Sequence, residues 1–351
     1  MEKIKKINVK LLNYEKELGD SRMELNINGD NINYVVMNSI RRTILTDIPI
    51  YAFNNFKFEK NTSIFNNTYL KLRLRNMPIW GIDNSVTFYD NKEVIKIDDT
   101  NTNTYSNMII EEELLNETDT KVDTSSLKQF TMYVNQRNNN KSGEIYNVTT
   151  NDAKFYFAQK EIPSPYKNPI QLLKLQAGQE IAFSATTELG VESKDAIYSP
   201  VSVCYYNQKD TNDFNFIIES KGQLKEKRII IVALDNLNKR LNNVLTMFKE
   251  SMTTQENKEQ HGVILNNKEQ HGVILINNED HTLGNLLSRG LQQHSNVSFA
   301  GYNLIHPLIN KVELHYKMKG NYKIESALEE VIEYNIELFT NIKDIINKVL
   351  P

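Results

Sequence analysis

The sequence predicts an α+β fold in which two related halves pair within one chain and a mixed, mostly β insert interrupts the first half. The first observation is a helical motif that occurs twice, 247 positions apart: VVMNSIRR at residues 35–42 returns as TLGNLLSR at residues 282–289. In both copies an Asn lies four residues before an Arg, so these polar side chains share one helix face while apolar residues mark another. The second observation is that each copy follows a strand and precedes further strands and a long amphipathic helix. Such a chain can form internally the pseudo-two-fold unit that other proteins build from two subunits.

The first half opens with a strand and the first motif helix. Residues 23–28 alternate apolar and polar side chains, as in a strand with one buried face. Gly29, Asp30 and Asn31 then supply a turn and a helix cap. Apolar residues continue at helical spacing until Pro49 ends the helix. The predicted contributions of this helix to the core between the halves are Val35, Ile40 and Ile44.

A region made mostly of β-strands, residues 50–165, is predicted to be inserted into a domain formed by residues 1–49 and 166–250. Residues 98–126 are polar and poor in core-forming side chains, which predicts mainly a solvated loop around a short helix or strand at residues 108–115. Strand-like stretches inside the insert lie at residues 52–59, 85–89, 93–97, 145–148 and 155–157. After the insert, strand-like stretches lie at residues 170–175, 180–185, 201–206 and 214–219, followed by a helix with an apolar stripe from Leu234 to Phe248.

Residues 251–266 are predicted to link the halves, because they contain the first copy of a duplicated segment. The sequence NKEQHGVIL occurs at residues 257–265 and again at residues 267–275. Two copies of a ten-residue period do not make a solenoid, which needs about three units to bury a continuous core. We therefore expect the first copy to lengthen the linker and the second copy to form the strand before the motif helix.

The second half, residues 267–351, repeats the order of elements in compact form. Asp280 is expected to cap the second motif helix, with its carboxylate accepting N–H bonds at the positive end of the helix dipole. Gly284 lies in the middle of that helix at a cost of about 1 kcal/mol relative to alanine, which indicates a close approach by another helix. The last helix, residues 325–349, is about 37 Å long. The remaining predictions for this half are strands at residues 298–304 and 311–316 and the core positions Leu283, Leu286, Leu287, Leu338 and Ile342.

Composition argues against several classes of function. The chain has 41 Lys and Arg against 44 Asp and Glu, and this net charge of -3 is too balanced for a protein whose main role is to neutralise phosphates. A single cysteine, Cys204, excludes an internal disulfide and any cysteine-based zinc or iron–sulfur site, which is typical of a reducing compartment. His261 and His271 belong to the duplication and form no metal-ligand pattern. No apolar run predicts a signal peptide or a membrane span, so we expect a cytoplasmic or nuclear protein without a metal or another cofactor.

The motif residues carry a resemblance to a known family. INNEDHTLGNLL at residues 276–287, followed by FAGY at 299–302 and HPL at 306–308, resembles the small assembly subunit of cellular RNA polymerases. That subunit is the eleventh of eukaryotic polymerase II and subunit L in archaea. The first half resembles its partner, the third subunit or archaeal D, and both are counterparts of the bacterial alpha dimer. A fusion of the two is similar to the polymerase platform subunit of large DNA viruses. The residues that resemble the third subunit are 38–49, 60–63, 72–79, 198–201 and 216–222.

The resemblance implies a function, a fold and a set of partners. It implies two alpha-subunit-like dimerisation domains that serve as a non-catalytic assembly platform of DNA-directed RNA polymerase, whose chemistry is carried out on the largest subunits. In agreement, the sequence has no Asp-rich magnesium motif and no Gly-Lys phosphate loop. The implied partners are the two largest subunits and small zinc-binding subunits, with DNA contacted only through the complex and no membrane. The residues expected to contact partners are Asn38, Arg41, Arg42, Asp280, His281, Gly284, Asn285 and Arg289.

The sequence also departs from the family and leaves an alternative open. The third subunit often holds zinc on a cysteine-rich loop of its inserted domain, and some archaeal counterparts hold iron–sulfur clusters, but those cysteines are absent here. His281 beside Asp280 has no Ser, Cys or second carboxylate that would indicate acid–base or nucleophilic catalysis. The alternative is a stand-alone protein-interaction or viral structural module that uses the same fold. If the protein is viral, the host cytoplasm and the virion are its expected locations.

Overall fold

The computed structural model describes residues 4–16, 21–80, 86–89, 94–96, 130–140, 143–157, 160–253, 263–268, 271–306 and 309–350 of the 351-residue chain. The loop predicted at residues 98–126, with its short element at 108–115, lies outside these residues. In chain order the first elements are β1 (Asn8–Lys16), β2 (Ser21–Asn28), α1 (Tyr34–Thr46), β3 (Ile50–Asn61), α2 (Asn67–Arg75), β4 (Val86–Tyr89), β5 (Val94–Lys96), β6 (Phe130–Arg137), β7 (Tyr146–Thr149), β8 (Ala153–Phe157), β9 (Lys160–Ile162), β10 (Gln171–Leu175) and β11 (Glu180–Gly190). They are followed by β12 (Val201–Asp210), β13 (Asp213–Ser220), α3 (Glu226–Thr253), β14 (Val263–Lys268), β15 (His271–Asn277), α4 (His281–Gln293), β16 (Val297–His306), β17 (Ile309–Met318) and α5 (Ile324–Val349).

The first half contains an antiparallel sheet in the order β1-β2-β13-β12, with α1 and α3 packed on it. In β2 the side chains of Met23, Leu25 and Ile27 are buried, because alternate residues of a strand point to the same face. The predicted strand at residues 23–28 lies within β2, and α1 ends before Pro49 as predicted. This sheet is therefore one of the surfaces on which the first motif helix, α1, packs.

The insert has a separate hydrophobic core. Its main sheet has the order β3-β11-β6-β8-β9, and β10 pairs with β7 in a smaller sheet. Phe53, Phe130 and Phe155 lie at the centre of the insert core, with ring centroids 5.8 Å apart for the first pair and 5.6 Å for the second. Both spacings lie in the range that favours aromatic pairs. The insert is therefore a β-rich body with its own packing.

The insert ends later along the chain than the sequence predicts. Residues 166–190, assigned above to the surrounding domain, carry β10 and β11, and three leucines of β10 are buried in the insert core. β11 pairs with β3 from Ile181 opposite Asn61 to Gly190 opposite Ile50. The chain thus enters and leaves the insert through two adjacent strands. The predicted boundary at residue 165 is wrong. The pairing of β3 with β11 joins segments more than a hundred residues apart, and the spacing of apolar residues along the sequence does not reveal such a pairing.

The second half has an antiparallel sheet in the order β14-β15-β17-β16, on which α4 packs. The first copy of the duplicated segment contributes to this sheet: β14 pairs with β15, from Val263 opposite Ile276 to Lys268 opposite His271. The expectation that only the second copy forms a strand is therefore wrong. Both copies contain the same Val-Ile-Leu run, and β-branched and apolar residues fit either strand of a hairpin.

One core joins the two halves. α1 packs against α3 and α4, and α5 packs against both α3 and α4, so that buried side chains from both halves form one cluster. Burying a leucine-sized side chain contributes about 1.5–3 kcal/mol, so this shared cluster is a main source of stability. The predicted α+β pseudo-dimer with an interrupted first half is confirmed. No helix within the described ranges combines the length and apolar character needed to cross a membrane. The predicted core positions Val35, Ile40, Ile44, Leu283, Leu286, Leu287, Leu338 and Ile342 are all buried in this cluster.

Candidate interface at the two motif helices

The two motif helices begin in the same way. At the start of α1, the Asn33 side chain accepts hydrogen bonds from the amides of Val35 and Val36 at 2.9 and 3.1 Å. At the start of α4, Asp280 accepts from the amide of Thr282 at 2.9 Å. Asn33 and Asp280 are also separated by 247 positions, so both helices are capped at equivalent residues. The two motif helices therefore begin at equivalent positions of their halves.

Arg42 of the first motif binds the cap of the second. Its Nε donates to Oγ1 of Thr282 at 3.0 Å, and its Nη2 donates to Oδ2 of Asp280 at 3.2 Å. The sequence places both Arg42 and Asp280 at a partner surface, whereas the structure brings them together across the junction of the halves. Since 34% of the Arg42 side chain and 35% of the Asp280 side chain remain exposed, each also presents part of its surface to solvent.

Arg240 of α3 extends this junction into the interior. Its Nη1 donates to Oδ2 of Asp47 at 2.9 Å, its Nη2 donates to Oδ1 of Asp280 at 2.8 Å, and its Nε donates to Oε2 of Glu279 at 3.2 Å. Asp47 is the C-cap residue of α1, and Glu279 is buried just before α4. Arg240 therefore connects the end of one motif helix to the start of the other, a role that sequence reasoning did not assign to it.

The protonation of this cluster follows from burial and from the arginine. Burial opposes the ionised form of Asp280, but Arg240 and the Thr282 hydrogen bonds outweigh it and lower the pKa of this carboxyl to about 2. Burial is the main reason why the pKa values of Glu279 and Asp47 are raised, and the charge of Asp280 adds to this effect, although Arg240 acts to lower both pKa values. Burial also opposes the charge of Arg240, but Glu279, Asp47 and Asp280 reverse that effect and raise its pKa. The guanidinium therefore stays charged and orients all three carboxyl groups.

The equivalent junction on the other side of the pseudo-two-fold axis has a different composition. The separation of 247 positions relates Arg289 to Arg42 and Asn33 to Asp280. Asn33 carries no charge, and its side-chain oxygen is already bonded to the first turn of α1. Arg289 thus has no carboxylate at the position where Arg42 has one. The pseudo-symmetry of the fold is not matched by the chemistry of the two junctions.

Arg289 instead borders an open crevice. Its Nη1 donates to Oε1 of Gln292 on the same helix at 3.3 Å, while its Nε is buried and has no hydrogen-bond partner among the described residues. The crevice has a volume of about 280 Å³ and lies between the start of α1 and the helices α4 and α5. A buried donor without an acceptor is uncommon in native proteins and calls for an explanation.

The other predicted partner residues lie on the outer faces of the motif helices. Asn38 is half-buried and accepts hydrogen bonds from Nε and Nη2 of Arg41 at 3.1 and 3.0 Å. Asn285 is half-buried on α4. His281 is exposed, and its Nδ1 lies 3.3 Å from the hydroxyl of Tyr302. The structure thus does not collect these residues into one pocket but spreads them along two helix faces.

Gly284 does not belong to that outer surface. It is buried, and a Cβ placed on it would lie 2.6 Å from the Tyr302 ring and 3.1 Å from Val312 in the sheet below. The predicted partner contact and helix crossing at Gly284 are therefore wrong: the glycine lets α4 approach its own sheet. The close helix crossing occurs at Gly290, where a Cβ would collide with Val331 of α5. A second glycine in the same helix was the sequence signal for this crossing.

The described side chains offer little for covalent or metal chemistry. Within the described ranges no group of three or more His, Cys, Asp and Glu side chains is placed to hold a metal ion. Burial raises the pKa of the Cys204 thiol to about 12, although nearby Arg41 lowers it. A thiol with this pKa is a poor nucleophile and a poor metal ligand at neutral pH. What the motif helices provide is a set of polar groups on a rigid, well-packed base.

Comparisons with known proteins match both halves. Residues 30–241 and residues 272–344 each match a family described as the RNA polymerase Rpb3/Rpb11 dimerisation domain. The first match contains α1 and the second contains α4, so each matched region carries one motif helix. A putative DNA-directed RNA polymerase subunit of Acanthamoeba polyphaga mimivirus is 25% identical in an alignment of 340 residues, which covers 94% of this chain and 91% of that protein. This viral relative therefore aligns with both halves in a single chain.

Proposed function

Because the chain belongs to the RNA polymerase Rpb3/Rpb11 dimerisation-domain family, we propose that it is the non-catalytic platform on which the two largest subunits of a DNA-directed RNA polymerase assemble. An assembly role in a multisubunit RNA polymerase follows from the two dimerisation domains and from the viral relative. The identity of the partners and the surfaces that hold them are the new parts of the proposal.

The observation that carries the proposal is the single core formed by α1, α3, α4 and α5. A dimerisation domain buries its apolar helix faces against a second domain, and here both domains belong to one polypeptide. The platform is thus complete without another subunit. In this proposal the first dimerisation domain consists of residues 4–49 and about 191–253, the insert of residues 50–190, and the second domain of residues 263–350.

We assign the partner surface to the outer faces of the motif helices. Arg41 and Asn38 on α1, and Asn285 and His281 on α4, present polar groups that are half-buried or exposed. Arginines on a rigid base suit contacts with a large protein partner, because arginine is enriched at the centre of protein interfaces. The two largest subunits would bind these faces, and small zinc-binding subunits would bind beside them. DNA would be contacted only through the assembled enzyme, in the cytoplasm or nucleus.

Co-purification tests the proposal. The tagged chain is expressed together with the two largest polymerase subunits of the same source, and the complex is analysed by size exclusion and mass spectrometry. We expect a stable complex that synthesises RNA on a template with magnesium and nucleotides, whereas the platform chain alone is inactive. Leu287→Asp should prevent assembly, because it buries an unpaired carboxylate in the core between the halves. Lys10→Ala, on an exposed residue of β1, is the matched control and should assemble normally.

Two outcomes would contradict the proposal. If the folded wild-type chain is recovered without either large subunit, a stand-alone interaction or structural module is favoured. If the isolated chain incorporates nucleotides on a template, the non-catalytic assignment is wrong.

A further inference from the structure

The two junctions between the halves are equivalent in position. The junction at Arg42 and Asp280, the occupied junction, therefore serves as a template for the junction at Arg289 and Asn33, the open junction. Both α3 and α5 follow a Lys-Gly pair, and Gly222 and Gly320 in these pairs have positive φ values of 91° and 60°. Aligning these glycines places Leu338 at the position of Arg240. Ile32, Asn33 and Leu338 thus stand at the open junction where Glu279, Asp280 and Arg240 stand at the occupied one. The counterpart of Asp47 is His294, whose Nε2 lies 3.1 Å from a carboxylate oxygen of Glu330.

What remains at the open junction is an arginine without the ligands that its counterpart has. Arg42 donates to a carboxylate and to the hydroxyl of Thr282. At the positions equivalent to Asp280 and Thr282 the first half has Asn33, whose oxygen is engaged in capping, and Val35, which has no hydroxyl. The Nε of Arg289 is shielded from solvent without an acceptor in the described part of the chain.

The crevice beside Arg289 has the size and lining of a side-chain receptor. Its volume of about 280 Å³ lies just below the roughly 300–1,000 Å³ of pockets for drug-sized ligands, so it suits an amino-acid side chain better than a cofactor. Val35, Leu286 and Leu338 form apolar walls, and Gln293 supplies a polar group. Asp30 also lines the crevice, but its carboxylate is paired with Lys5 at 3.2 Å.

Resting on the proposed function, we propose that this crevice receives an Asp or Glu side chain of a large polymerase subunit, whose carboxylate binds Arg289 as Asp280 binds Arg42. Arginine forms charge-assisted N–H bonds to carboxylates, as Nη2 of Arg42 does to Asp280, and such pairs are strong where water is excluded. The apolar walls would hold the methylene groups of the acidic side chain. The platform would thus carry one junction filled from within the chain and one filled by its partner.

The test measures the affinity of the assembled platform for the large subunits. Arg289→Leu should weaken capture of one large subunit roughly tenfold or more, since truncating one member of a buried charge pair has effects of this size. Arg22→Leu is the matched control: Arg22 is an exposed arginine of β2 that pairs with Glu219, and its loss should leave the affinity unchanged. Size exclusion and thermal unfolding of each free variant establish that it is folded.

Two further measurements remove the dependence on a single variant. A photo-crosslinking residue at Gln293 should react with an acidic segment of a large subunit in the otherwise wild-type complex. Arg289→Asp should abolish capture, and an Asp or Glu to Arg change at the cross-linked segment should restore it. The inference is overturned if the complex forms and Arg289→Leu binds as tightly as the Arg22→Leu control. It is also overturned if the cross-link from position 293 maps to this chain itself. If the wild-type chain captures no large subunit, the proposed function fails and the inference fails with it.

Discussion

Asp280 has three roles at the occupied junction. It caps α4 by accepting from the Thr282 amide, it receives Arg42 from the other half, and it receives Arg240 from α3. Only the first of these roles could be predicted from the sequence, because capping depends on neighbours within one turn. The two arginines lie 238 and 40 positions away, and no local pattern joins them to Asp280.

We expect Asp280 to make the stability of the protein depend on pH in the acidic range. Its pKa of about 2 lies below the ordinary value of about 3.9, so its stabilising effect is full above about pH 4 and is lost as the pH falls toward 2. Asp280→Asn keeps a good helix cap and removes the charge. The melting temperatures of the two proteins should therefore differ at pH 5 and converge as the pH approaches 2. A gap that stays constant over this range would show that the charge has no such effect.

Arg240→Leu should destabilise the fold strongly. The variant leaves the buried Glu279 without its arginine, and removing one partner of a buried ion pair costs about 3–5 kcal/mol. Adding Glu279→Ile should recover much of this loss, because leucine and isoleucine then copy Leu338 and Ile32 at the open junction. Urea denaturation of the single and double variants measures both effects. Equal losses in the two variants would contradict the view that unpaired charge is the cause.

At the scale of elements, periodicity located most helices and strands. Both motif helices, α3, α5 and the strands around them were predicted, because each has one apolar face against a large core. The strands β1, β6, β9 and β14 and helix α2 were missed. β1 shows why a strand can be missed. It lies at the edge of its sheet and buries Val9 but leaves Leu12 and Tyr14 exposed, so its alternation of apolar and polar residues is weak. The candidate interface was found only as two helices, since the pairing of Arg42 with Asp280 depends on tertiary packing.

The crossing of α4 and α5 should be sensitive to a single methyl group. Gly290→Ala improves helix propensity by about 1 kcal/mol, but its Cβ would collide with Val331. We expect the collision to dominate and to lower the free energy of unfolding by about 1–3 kcal/mol, as overpacking does.

Val331→Ala should offset the effect of Gly290→Ala. The double variant should then be more stable than the sum of the two single changes predicts, with a coupling of about 0.5–3 kcal/mol measured by chemical denaturation. A stabilising Gly290→Ala, or strictly additive effects, would mean that the helices can separate at this point without cost.

At the scale of the whole molecule, the unequal junctions determine which halves can pair. If two copies of the first half paired with each other, Ile32 and Asn33 would occupy the positions of Glu279 and Asp280, and Arg240 would keep only Asp47 of its three carboxylate partners. Burying a charge with fewer partners disfavours that assembly. The occupied junction therefore favours pairing of unlike halves, in the way that polar groups select partners in other interfaces. Fusion of the halves into one chain adds a high effective concentration to this selectivity.

The same reasoning predicts that the connection between the halves is dispensable after folding. A protease site placed within residues 254–262, between α3 and β14, would separate the chain into two fragments. The shared core and the Arg42 and Arg240 contacts remain in place after cleavage, because all of them join the halves through side chains. An interface that contains the two motif helices and the two long helices α3 and α5 should bury more than about 2,000 Å² and behave as an obligate one. The cleaved fragments should therefore co-elute in size exclusion at micromolar concentration, and Arg240→Leu should make them separate more readily. Fragments of the wild-type chain that separate on cleavage would show instead that the tether, and not the core, holds the halves together.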